Sequence, residues 1–329
     1  LTVEGVDANG SPVALLTDRP STDAEPAWSP DGARIAFSSL RDQRRQIYVM
    51  DSDGENQTQL LTSEMGDNSN PAWSPDGQLI AFETTRHGTS EIYVANADGS
   101  GQRRLTDNFS PDIGPAWSPD GTRLAFSRRF QDLPGQENTQ IYVVEVASGE
   151  ETQITEDASF NEKPLWSPDG ATIIFERLSD EGRDLLLMSA DGDDVRPLVD
   201  SAGEKSDADW SPDGSRLLFS MLVDGNRDVY VVNSDGSGIQ RLTDHSAIDK
   251  TPRWSPDGQL IAFISDRANI TPTPRATEAG ATPGPSLTRG AALPAQFDVY
   301  VMNPDGSTPT RISPDFWRDS DPVWRPLIQ

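Results

Sequence analysis

Apolar residues fall in short runs, and polar turns rich in Gly, Pro, Asn and Asp separate them. Typical runs are Arg34-Ile35-Ala36-Phe37-Ser38 and Gln46-Ile47-Tyr48-Val49-Met50, whose branched and flat side chains suit a pleated surface. Helical spacing is sustained nowhere. Each unit opens with Trp-Ser-Pro-Asp-Gly, led by Trp28, Trp73, Trp117, Trp166, Trp210 and Trp254, and a truncated Trp-Arg-Pro copy begins at Trp324. Successive tryptophans stand 45, 44, 49, 44, 44 and 70 residues apart, the period of a four-stranded propeller blade. We label the strands of one unit a (ending at Trp), b, c and d. The b runs, such as Ile-Ala-Phe at Ile35, Ile80 and Ile261, are apolar on both faces, so each sheet needs cover on both sides. Neighbouring blades in a ring supply it. The predicted fold is all-β, a seven-bladed β-propeller of four-stranded antiparallel blades forming one domain over residues 1–329.

Closure of that ring is unusual. Residues 1–18 align with strands c and d, and residues 321–329 with strand a, so head and tail are expected to share one blade, with Trp324, Leu1 and Val3 at the closure. Strand b of that blade has no counterpart in the sequence. An empty slot would leave backbone groups unpaired, at about 1 to 3 kcal/mol for each buried one. Upstream residues, the tail Leu327-Ile328-Gln329, or a strand from a second molecule would fill it, and the last is a route to head-to-tail polymers.

Both hairpin turns have structural explanations. In Trp-Ser-Pro-Asp-Gly, Pro presets φ, Gly accepts a left-handed backbone, and Asp31, Asp76, Asp120, Asp169, Asp213 and Asp257 are expected to cap their own turns. The c-to-d turns place Asp51 and Asp53, Asp98, Asp191, Asp235 and Asp305 beside a glycine, an arrangement that invites a calcium reading. The sixth-position Gly and distant Glu of an EF-hand are missing, and the spacing suits a hairpin with a glycine bulge, so no cofactor is assigned and calcium is kept as the alternative.

The other end of the ring carries loops of variable length, where a rigid frame usually presents its binding surface. Phe109, Phe130, Phe160, Phe316 and Trp317 lie there among charges, as candidate partner contacts or as plugs between blades. A Pro/Thr-rich insertion, residues 268–296, expands one b-to-c loop and cannot bury enough apolar area to order itself alone. It reads as a tolerated surface loop, with sugar on its threonines, or as a docking arm. Five residues before each Trp stand Asp23, Asn68, Asp112, Asn161, Lys205, Asp249 and Asp319, either capping the d-to-a turn or forming an acidic ring for a cation or basic peptide.

With 53 acidic and 27 basic residues the chain carries −26 and should repel nucleic acid and anionic lipid. No apolar stretch approaches the roughly 18 residues of a membrane span. Cysteine is absent, the only histidines are His87 and His245, and no Gly-x-Ser-x-Gly elbow occurs, so no enzyme is expected.

Pro-Ala-Trp-Ser-Pro-Asp-Gly, Ile-Ala-Phe, Ile-Tyr-Val-Met and Asp-Gly-Ser followed by Leu-Thr resemble the TolB-type propeller repeats over nearly the whole chain. The resemblance implies a bacterial domain outside the cytoplasm (periplasmic, surface-borne or secreted) that binds other proteins. Departures from the repeat fall in the fourth and fifth units, where Leu185-Leu186-Leu187-Met188 replaces Ile-Tyr-Val and Asp209 replaces the small residue before Trp210, so these blades are expected to pack differently. The function expected is a non-catalytic protein-interaction scaffold working through its variable loop face. Two alternatives stand beside it: a structural subunit polymerising by strand exchange into the incomplete blade, and a gating propeller detached from a prolyl-oligopeptidase-type hydrolase.

Overall fold

A computed structural model describes residues 4–6, 12–15, 23–41, 43–61, 65–130, 137–267, 297–312 and 322–326, and the structural statements below concern these. Every repeat forms an antiparallel a-b-c-d fan. In the first, Asp23–Trp28, Arg34–Ser39, Gln46–Asp51 and Thr58–Gln59 pair in order; in the second, Asn68–Trp73, Leu79–Thr84, Glu91–Asn96 and Arg103–Arg104 do so. The remaining a strands are Asp112–Trp117, Phe160–Trp166, Glu204–Trp210 and Asp249–Trp254. Third and fourth fans join into one eight-stranded sheet through a single parallel pair, Thr139 with Phe160. Glu4–Val6 and Pro12–Leu15 make a separate two-stranded sheet. The architecture is an all-β propeller. Closure residues Leu1 and Val3, the insertion 268–296, and Phe316, Trp317 and Asp319 lie outside the described residues.

The core is a series of layers between fans. Ala36, Ile47, Val49 and Leu61 of blade 1 pack on Trp73, Ile80, Phe82 and Tyr93 of blade 2, the small Ala leaving room for the next blade's large side chains. The same exchange links Ala81, Ile92 and Val94 to Leu124 and Phe126, and Ala125, Ile141 and Val143 to Trp166 and Phe175. Fully burying each large aliphatic or phenylalanine side chain of these layers contributes about 1.5 to 3 kcal/mol, which is why sheets apolar on both faces must stack.

The tryptophan does more than fill space. Trp73 Nε1 donates to Ala27 O at 3.1 Å, Trp117 Nε1 to Ala72 O at 2.9 Å, and Trp166 Nε1 to Ala116 O at 3.2 Å, each reaching the carbonyl just before the previous blade's Trp. Trp324 repeats the move, donating to Arg253 O at 3.0 Å while packing on Ala262 and Val301. The turns stack in the same sense. Gly77 lies against Pro30, Gly121 against Pro75 and Gly170 against Pro119, while Gly32, at φ +64°, lies against Pro326 O. Arg325 Nε donates to Gly32 O at 2.9 Å, with its guanidinium over the Trp28 ring. Thus Trp324-Arg325-Pro326 touches the sixth blade with one residue and the first blade with the next two.

Every strand a is bulged at one place. The residue three before Trp takes a left-handed backbone: Glu25, Asn70, Gly114, Lys163, Asp207 and Thr251, with φ between 49° and 66°. Pairing with strand b slips at each of these positions. A β-branched Thr251 in this region is strained. Strands a of blades 1 and 2, 2 and 3, 3 and 4, and 5 and 6 contact one another, so they form the inner edge of the ring.

Candidate functional site

At the turn end, the carboxylates are consumed locally. Asp31 accepts from Ser29 Oγ at 2.6 Å and from Ala33 N at 3.0 Å, and the other Trp-Ser-Pro-Asp-Gly turns repeat the geometry. The Ser hydroxyl bond first, then the backbone N–H, lowers Asp31, Asp76, Asp120 and Asp169, and with the Ser215 N–H and hydroxyl it brings Asp213 to about 2. In the c-to-d turns, Asp53, Asp98, Asp235 and Asp305 each accept the N–H two residues on, while Asp51 Oδ2 accepts Asn56 Nδ2 and Asp191 stands in the turn closed by Gly192 N to Ser189 O. Among the described residues no cluster of three His, Cys, Asp or Glu is arranged to hold a metal ion.

At the loop end, the residues five before Trp are buried and paired. Asp23 meets Arg41, Asp112 meets Arg128 through two bonds of 2.7 and 2.9 Å, and Asp249 meets Arg267 at 2.8 Å; Asn68 and Asn161 accept from Arg86 and Arg177. The arginines lie over aromatic rings of their own blades, Arg128 over Tyr142 at 4.2 Å and Arg41 over Tyr48 at 4.6 Å. Burial opposes the Arg128 charge, but hydrogen bonds and charge from Asp112 and Glu151 outweigh it and hold the group above its ordinary value. Blade 5 inverts the arrangement: Lys205 is buried, bonded to Ser201 O and Asp184, and Met221 stands opposite it. The acidic positions are therefore neutralised from within.

Above these pairs single apolar side chains stand exposed. Phe109 is 97% exposed; Leu40, Met65 and Ile248 are exposed on the same b-to-c and d-to-a loops, Leu178 and Val223 at the ends of their b strands, and Val195 and Ile239 on c-to-d turns. Phe130 and Phe160 are half-buried and lie beside the start of one strand, Phe130 pairing with Asn138 and Phe160 with Thr139. Three candidate contacts are thus placed on this end, one open and two partly sunk between blades 3 and 4.

A cavity of about 370 Å³ opens among blades 4, 5 and 6, lined by Lys163, Pro164, Leu165, Ile174, Phe175, Glu176, Leu185, Asp207, Ala208, Asp209 and Arg253. Its cause is local. Where other blades have Ala before Trp, these have Leu165, Asp209 and Arg253, and the indole N–H groups of Trp210 and Trp254 are buried without a partner. The regular indole-to-carbonyl bond is lost at both interfaces. Asp209 Oδ2 instead accepts Trp254 N at 2.7 Å. Glu176 accepts from Lys163 Nζ at 3.1 Å, Arg183 Nη1 at 2.6 Å and Asp207 N at 2.9 Å, while Asp207 takes the hydroxyls of Ser206 and Ser220.

Burial raises Asp209 to about 6, against the lowering pull of Arg253 and the Trp254 N–H. The folded pKa lies above the unfolded value of 3.8, so ionisation opposes folding as pH rises from about 4 to 6 and the cost is complete above that window. Asp209→Asn keeps the acceptor for Trp254 N and removes the charge. It is expected to stabilise the chain by up to about 3 kcal/mol near neutral pH and by almost nothing near pH 4. Thermal melts of both proteins across that range check the sign; equal melting temperatures at neutral pH would show that Asp209 is well solvated.

The sequence profile described as TolB beta propeller domain matches residues 55–208 and 197–272. A curated relative, the Tol-Pal system protein TolB of Hahella chejuensis, is 41% identical over 58 residues, which make 18% of this chain and 14% of that protein. The described fold is similar to a puromycin hydrolase (TM-score 0.70, 17% identity, 97% of this chain and 51% of that one) and to an oligogalacturonate lyase in complex with manganese (0.68, 18%, 95% and 84%). It is also similar to a putative TolB of Agrobacterium tumefaciens (0.52, 24%, 95% and 89%). At these identities the solved structures bear on fold alone. The profile covers more than half of the chain, which belongs to the TolB beta propeller domain family.

Proposed function

We propose that this propeller is a non-catalytic protein-interaction scaffold that works outside the cytoplasm and meets its partner through the loop end. The observation that carries the reading is the open Phe109 on a variable loop next to the neutralised Asp112–Arg128 pair. An exposed aromatic on a variable loop held by a rigid frame suits a contact surface. The placement outside the cytoplasm rests on the likeness to a Tol-Pal system protein TolB. In the same reading the ring has seven blades, Trp324-Arg325-Pro326 supplying strand a of the last and the two-stranded sheet its c and d strands. A photo-crosslinking residue at position 109 is expected to give protein adducts in the native host, and one at Asp235, on the turn end, is not. Adducts from both positions alike, or from neither, would overturn the loop-end reading.

The two-stranded sheet favours a second reading, in which a strand from another copy completes that blade. Filaments in negative-stain micrographs of purified protein support it. A monomer at high concentration in light scattering counts against it.

A further inference from the structure

We propose that the cavity among blades 4, 5 and 6 binds a small zwitterion with an aliphatic body, of the class of an α-amino acid such as leucine. Most charges around it are spoken for: Glu176 is held by Lys163, Arg183 and Asp207 N, and Asp207 by two serine hydroxyls. Two groups are not. Arg253 makes one hydrogen bond, Nη1 to the Pro252 carbonyl at 3.0 Å, which leaves the rest of its donor fork uncommitted, and Asp209 uses only Oδ2, toward Trp254 N. Although each feels the other's charge, they form no ion pair. An anion on blade 5 and a cation on blade 6, coupled in charge yet not joined, leave room for a molecule that carries both charges on groups bonded to one carbon.

Single-charge ligands fit poorly. A lone carboxylate would face Asp207, Asp209 and Glu176, and a lone amine would face Arg253 and Lys163, whereas a zwitterion sets its carboxylate on the Arg253 fork and its ammonium on Asp209. Leu165, Ile174 and Leu185 offer an apolar floor for the side chain, and the volume lies in the range of small-molecule sites. The indole N–H groups of Trp28, Trp210 and Trp254 are buried without a partner, the last two at the interfaces where the cavity opens.

Titration calorimetry of the intact chain with L-leucine, 4-methylpentanoate and 3-methylbutylamine tests the proposal. Leucine is expected to bind, each analogue roughly tenfold or more weakly, and leucine should shift the indole resonances of Trp210 and Trp254 in ¹⁵N–¹H spectra. Arg253→Ala and Asp209→Ala restore the residue that other blades carry at Ala27, Ala72 and Ala116, so both should melt cooperatively while leucine affinity falls roughly tenfold or more. Absence of heat and of resonance shifts at millimolar leucine, an analogue that binds as well as leucine, or affinity unmoved by both variants would each overturn it. If a variant fails to fold, the analogue series and the spectra of the unaltered chain still decide.

Discussion

Trp324→Ala is expected to lower the free energy of unfolding by about 3 to 5 kcal/mol, the range for removing a buried aromatic from a packed layer. The side chain is buried against Ala262 and Val301 and donates to Arg253 O, so the change removes the packing and the bond that tie the tail to the sixth blade. The next two residues hold blade 1, through Arg325 to Gly32 O and over Trp28, so loosening Trp324 also frees that grip. Trp324→Phe keeps most of the packing and deletes the donor, and should cost about 1 kcal/mol from the lost bond. Urea unfolding separates the two. An unchanged midpoint for the alanine variant would show that the ring is closed elsewhere.

Arg128→Met should be as damaging for a different reason. Asp112 is fully buried, and its carboxylate takes both bonds from Arg128, which also reaches Glu151. Removing one partner of a buried pair leaves the other charge desolvated, at about 3 to 5 kcal/mol. Methionine is suited to the position, since Met221 occupies it in blade 5. The double variant Arg128→Met, Asp112→Asn should recover much of the loss, because Asn68 and Asn161 stand at the same place in blades 2 and 4. If urea unfolding shows the double variant no better than the single one, the cost lies in lost stacking on Tyr142 rather than in stranded charge.

Local chemistry made much of this molecule legible. Hairpins, strand order and self-capping aspartates follow from residues a few positions apart, so Trp-Ser-Pro-Asp-Gly and Ile-Ala-Phe carry their own geometry. The departure at blade 5 is also visible, in Asp209 where blades 1 to 3 have Ala, whereas Leu186 packs in the same layer as the tyrosines of other blades. What stayed hidden depends on pairs without a constant offset. The arginine that meets the buried Asp or Asn sits directly opposite it in blades 3 and 4, as Arg128 and Arg177, and two residues further on in blades 1, 2 and 6, as Arg41, Arg86 and Arg267. In those three blades the arginine lies just past the end of strand b, so no constant offset in the text gives it away. The left-handed bulge was equally silent, since Glu25, Asn70, Gly114, Lys163, Asp207 and Thr251 share a backbone state and no side-chain chemistry. The cavity needs three blades at once, and no single repeat announces it.

The indole bonds of Trp73, Trp117, Trp166 and Trp324 all point one way round, each reaching back to the repeat before it. A circle assembled by such a one-handed rule is modular: excising a whole unit, Trp73 through Ala116 for instance, would remove one donor and one acceptor together and strand neither. Growth or loss of the circle by complete units is then limited by curvature alone, whereas any cut at another length breaks the count of donors and acceptors at the seam.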